Sequence, residues 1–176
     1  LQQCDFPLGA SLNGEMKHFA ERDPGAIARL ITVAENNPEL YENKVRPALT
    51  ERPGVRPVLG ITGTGGAGKS SLVDELVRRF LLDQPDKTIA IVSVDPSKRK
   101  TGGALLGDRI RMNAINNPRV FMRSLATRQS NLALSKYVQS AVEILKAAGF
   151  DLILLETSGI GQSDTEIIDH SNLSLY

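Results

Sequence analysis

Residues 60–71 read Gly-Ile-Thr-Gly-Thr-Gly-Gly-Ala-Gly-Lys-Ser-Ser. Gly63 to Ser70 match G-x-x-x-x-G-K-[ST], a spacing suited to cradling a chain of phosphates. Gly63, Gly65, Gly66 and Gly68 open backbone conformations closed to other residues. The N–H groups of Gly65, Gly66, Ala67 and Gly68 can then converge on one anion. A helix beginning near Lys69 adds the positive end of its dipole. The Lys69 ammonium is expected on the β- and γ-phosphates, and the Ser70 hydroxyl on Mg²⁺. Three carboxylates extend this chemistry. Asp95 sits in Ser-Val-Asp-Pro-Ser, Asp108 in Leu-Gly-Asp-Arg-Ile-Arg, and Glu156 in Glu-Thr-Ser-Gly. A triphosphate–Mg²⁺ complex needs oxygen ligands of this kind. Taken singly, each could also be a cap, a turn former or a solvated charge, a reading that strand-end position weighs against for Asp95 and Glu156.

These residues need elements to position them. Residues 57–62 form an apolar strand before the loop, and Leu72, Val73, Leu76, Val77 and Phe80 mark one face of a helix after it, ending near Leu82. Residues 88–94 make a second strand, apolar and β-branched enough to be covered on both faces. A third is expected over 120–125 and a fourth over 152–155. Leu134, Val138, Ala141, Val142, Leu145 and Ala148 mark a long helix closed by Gly149, and residues 173–176 begin a fifth strand. This alternation predicts an α/β fold, a doubly wound and mostly parallel sheet of the P-loop NTPase type. Ligands of such sheets bind beyond the carboxyl ends of the strands, where the loop, Asp95 and Glu156 all fall. Arg123 and Arg128 are expected at the same edge.

The front of the chain differs. Residues 14–21 suggest a short helix. Asp23-Pro24 and Asn37-Pro38 are both helix-start signals, and a kink is expected at Pro47. Residues 1–54 therefore read as a separate helical element or linker, and 55–176 as the nucleotide-binding domain, incomplete at its C-terminal side.

Glu156-x-x-Gly159 resembles the Asp-x-x-Gly that senses the γ-phosphate in GTPases, with Gly159 offering its N–H. Gln162 could orient an attacking water or be a polar loop residue. Arg111 lies one helical turn after Asp108 and could reach a phosphate with its guanidinium. The basic run Lys98-Arg99-Lys100 reads as a solvated face, or as charge that meets phosphate or a partner.

Residues 94–97 (Val-Asp-Pro-Ser), 101–112 (Thr-Gly-Gly-Ala-Leu-Leu-Gly-Asp-Arg-Ile-Arg-Met) and 156–163 (Glu-Thr-Ser-Gly-Ile-Gly-Gln-Ser) resemble the G-protein chaperones of adenosylcobalamin-dependent acyl-CoA mutases. Residues 63–71, 113–116 and 123–128 are more similar still to the GTPase domain of fused isobutyryl-CoA mutases. The resemblance implies Mg²⁺-dependent GTP hydrolysis that gates cofactor loading and protects a mutase domain or subunit, and it allows a homodimer. It places Lys69, Ser70 and Ser71 on phosphates and metal, Asp95, Asp108 and Glu156 on Mg²⁺, and Arg111 on nucleotide. Adenosylcobalamin belongs to the implied mutase, not to these residues. No Asn-Lys-x-Asp and no Asp-x-His-x-x-Gly occurs among them. A stand-alone mutase-associated GTPase, a P-loop small-molecule kinase and a metal-delivery GTPase remain alternatives.

Composition sets outer bounds. The 176 residues are 41% hydrophobic and 23% charged, enough for one domain with a sizeable core. A net charge of +1 gives no reason to expect nucleic acid or an anionic membrane as partner. Apolar runs are too short to span a bilayer. Cys4 is the single cysteine, which excludes an internal disulfide and fits a reducing, cytoplasmic location. Two histidines far apart, His18 and His170, form no readable metal cluster.

Overall fold

The computed structural model describes residues 12–49, 55–95, 112–126, 131–157 and 170–176. Five strands, β1 (Val58–Ile61), β2 (Ile89–Asp95), β3 (Val120–Ala126), β4 (Leu152–Thr157) and β5 (Leu173–Leu175), form one sheet in the order β3-β2-β4-β1-β5. Every pairing is parallel. The strands expected from sequence are all present, shifted by a residue or two at their ends.

The chain leaves β1 toward β2 and leaves β4 toward β5. Because β1 and β4 are neighbours, these opposite departures put the switch in strand order between them. Doubly wound sheets bind ligands in the crevice at such a point.

Two apolar layers cover the sheet. On one face, Ile61, Ile91, Met122 and Leu154 pack with Val73 and Val77 of helix α4 (Lys69–Asp83) and with Met112. Of the five residues expected on the buried face of α4, Val73 and Val77 are fully buried, Leu76 and Phe80 are half-buried, and Leu72 is exposed. On the other face, Val58, Val92, Phe121, Ile153 and Leu155 pack with helix α5 (Asn131–Ala148) and with the helical front. Gly149, at φ 87°, follows α5 in the left-handed conformation that glycine adopts without strain.

The front comprises α1 (Leu12–Ala20), α2 (Pro24–Asn36) and the short α3 (Pro38–Leu40). Both start signals work as caps: Asp23 Oδ1 accepts the Ala26 N–H at 2.7 Å, and Asn37 Oδ1 accepts that of Leu40 at 3.0 Å. A π-helical turn, Tyr41–Val45, and a 3₁₀ turn, Arg46–Ala48, follow where a kink at Pro47 was expected. Sequence suggests a separate element here, yet Ile27, Leu30 and Ile31 are buried in the same cluster as the sheet and α5. Polar bonds reinforce the seam. The Tyr41 hydroxyl donates to Glu143 Oε2 at 3.0 Å and Arg46 donates to Glu143 Oε1 at 2.9 Å.

Arg123 departs from expectation. It lies in β3, as the strand expected over 120–125 has it, but donates to Thr32 Oγ1 at 3.0 Å and Glu35 Oε2 at 2.7 Å on α2. Strand alternation turns its side chain toward the helical front, away from the ligand edge. Arg128 lies outside the described residues.

Candidate nucleotide site

The loop between β1 and α4 takes its shape from glycines at two kinds of position. Gly66 and Gly68 have φ of 80° and 90°, values that strain any side-chain-bearing residue. Gly65 has no such φ, and a Cβ built there would meet nothing within 4 Å. The protein itself therefore does not require glycine at 65. A Cβ there would stand in open space.

Gly68 caps α4. Lys69 and Ser70 then occupy its first turn, half-buried, while residues 64–68 are exposed. The Lys69 ammonium folds back over the loop and donates to the carbonyls of Gly63 at 2.7 Å and Thr64 at 2.9 Å. Ser71 is exposed on the same turn.

The neighbouring strand brings in a carboxylate. In the β1–β4 pairing Ile61 lies opposite Glu156. The Ser70 hydroxyl donates to Glu156 Oε1 at 2.7 Å, linking residues 86 apart in sequence. Glu156 is 3% exposed. Beside it, the Thr157 hydroxyl donates to Thr62 Oγ1 at 3.0 Å. These two bonds fix the end of β4 against both sides of the loop. Asp95 ends β2, one strand beyond β4, its backbone paired with Ala126 of β3. The structure thus brings the loop, Ser70 and Glu156 together, and sets Asp95 at the same sheet edge. Asp108, Arg111, Gly159 and Gln162 lie outside the described residues.

Ser70 and Glu156 form a hard oxygen pair at a helix N-terminus, of the kind that Mg²⁺ takes together with phosphate oxygens and water. Among the described residues no group of three His, Cys, Asp or Glu gathers for a metal. A Mg²⁺ held largely by phosphate does not need one. The Thr62–Thr157 pair is not visible in any spacing rule; only the lateral register of β1 and β4 reveals it.

The family model for the methylmalonyl Co-A mutase-associated GTPase MeaB matches residues 27–176. The fused isobutyryl-CoA mutase of Geobacillus kaustophilus is 56% identical over 184 residues, covering 100% of this chain and 17% of the relative. That of Cupriavidus metallidurans is 53% identical over 179 residues, covering 99% and 16%. A protein of Pyrococcus horikoshii named as a GTPase is 42% identical over 154 residues, covering 87% of this chain and 48% of its own length. The chain therefore spans about a sixth of the fused mutases. Among solved structures, the LAO/AO transport system kinase superposes with a TM-score of 0.69 at 24% identity, over 97% of this chain and 50% of that one. This likeness speaks to the P-loop fold alone. Among the described residues, no helix is long and apolar enough to cross a membrane.

Proposed function

The chain belongs to the MeaB family of methylmalonyl-CoA mutase-associated GTPases, and from that membership we propose that it binds GTP with Mg²⁺ and hydrolyses it to time cofactor loading of an adenosylcobalamin-dependent acyl-CoA mutase. The identity to fused isobutyryl-CoA mutases favours a mutase domain in the same polypeptide over a separate subunit. The observation that carries the catalytic part is the 2.7 Å bond from Ser70 to Glu156. It joins the phosphate loop's helix to the end of β4, so that a phosphate sensed at one is felt at the other.

In this reading the N–H groups of residues 65–68 surround the β-phosphate. Lys69 exchanges the Gly63 and Thr64 carbonyls for β- and γ-phosphate oxygens, and so neutralises charge that shifts during transfer. Bound Mg²⁺ would supply further neutralisation of the β- and γ-oxygens. Ser70, Glu156, Asp95 and Asp108 would hold it directly or through water. Gly159 offers its N–H to the γ-phosphate, Arg111 its guanidinium, and Gln162 orients the water that attacks the γ-phosphorus. GDP departs with the bridging oxygen.

The test is hydrolysis by the full-length protein. Lys69→Ala should lower GTP turnover by about 10²–10³-fold, the usual effect of removing one preorganised charge partner. Unchanged turnover would sink the reading. Transfer of the γ-phosphate to a small acceptor rather than to water would replace it with a kinase.

A further inference from the structure

Residues 112–115 are fastened to α4 in two ways. The Met112 side chain, 2% exposed, lies in the cluster formed by Ile61, Val73, Val77 and Leu154. Ala114 and Ile115 pack at its margin. The Ala114 N–H donates to Asp74 Oδ1 at 2.9 Å, across 40 residues of sequence. An apolar anchor alone would fix depth but leave the stretch free to slide. A directional bond to a carboxylate fixes its register as well.

Asp74 stands four residues after Ser70, one turn along the same helix face. Val73 and Val77, on either side of it, are fully buried, so that the turn carrying the carboxylate is packed into the core. The chain immediately before Met112 is Arg111, with Asp108 three residues earlier. One helix therefore carries Lys69 and Ser70 at its start and, a turn later, the carboxylate that holds the Ala114 amide. A carboxylate used only for solubility would face water. This one is half-buried and spends an oxygen on a backbone amide.

We infer that Asp74 is a positioning residue for GTP hydrolysis: it locks residues 112–115, which follow Asp108 and Arg111 in sequence, to the helix that carries Lys69 and Ser70. The inference rests on the GTPase reading above.

The test compares Asp74→Ala with Asp74→Asn in the full-length protein, the asparagine retaining an oxygen that can accept the Ala114 N–H. Loss of one charge-assisted bond should lower kcat of the alanine variant about tenfold while KM for GTP moves less than about threefold, and the asparagine variant should stay within about threefold of the parent. Turnover is counted per nucleotide-binding site, so that a merely unstable variant does not imitate the effect. Amide hydrogen exchange over residues 112–115 gives the second readout. It should quicken about tenfold in the alanine variant and hardly change in the asparagine variant. Unaltered exchange, an alanine variant with parental kcat per site, or an asparagine variant as impaired as the alanine one would each overturn the inference. Absence of GTP turnover in the parent itself would instead overturn the functional reading, and is seen without any substitution.

Discussion

At the scale of single residues, the glycines separate folding from binding. Gly68 must be glycine for its own backbone, at φ 90°. Gly68→Ala should lower stability by about 1–2 kcal/mol and also impair the loop. At Gly65 neither φ nor any neighbour opposes a methyl group. Gly65→Ala should therefore change stability by less than about 0.5 kcal/mol while weakening GTP binding. Urea denaturation beside nucleotide titration checks the pair, and equal effects at both positions would contradict the argument. Ser70→Ala removes one oxygen of the pair at 2.7 Å. The Mg²⁺ concentration for half-maximal hydrolysis should rise about 10–100-fold. The loop was legible in sequence because one chemical task fixes its residues and their spacing. The Ser70–Glu156 contact was legible only as two strand-end positions, since strand order alone makes neighbours of residues 86 apart. Asp74 was not legible at all, because accepting a loop amide leaves no repeated pattern.

At the scale of elements, helix ends and strand starts carry the readable and the measurable effects. The Asp23 and Asn37 caps followed from residue type, and Asp23→Ala should cost about 1 kcal/mol. The π-helical turn at Tyr41–Val45 did not follow from local sequence. Tyr41 is buried there and bonds Glu143 of α5, so that a partner about a hundred residues away bears on its geometry. Arg123 was misassigned for a similar reason: its partners on α2 decide where it points. At the amino end of the sheet, burial pushes the Asp151 carboxyl up, but the Thr88 N–H and hydroxyl and the Lys87 ammonium outweigh it and hold it below its ordinary range. A depressed pKa stabilises the fold above the unfolded value near 4 and loses that contribution as pH falls through the folded value. Asp151→Asn should therefore cost about 1 kcal/mol at pH 7. Its deficit against the parent should shrink toward zero as denaturation curves are taken to progressively acid pH.

At the scale of the molecule, the helical front and the sheet share one interior. Ile27, Leu30, Ile31 and Val33 are each at most 5% exposed. Four such side chains contribute on the order of 6–12 kcal/mol of burial, as much as a whole domain's net stability. A variant beginning at Val55 should therefore aggregate or elute as a soluble oligomer in size-exclusion chromatography. A monodisperse, cooperatively melting product would show that the front is dispensable. Among the described residues the loop's own strand, β1, pairs with β4 on one side and β5 on the other, and Thr62 meets Thr157 across 95 residues. On the ribosome, the phosphate cradle emerges early but has no flanking strand until nearly the whole of this stretch has been translated. Distant pairings of this kind form slowly. GTP present in the cell as β4 docks would then act as a folding ligand, drawing the newborn chain toward its closed sheet.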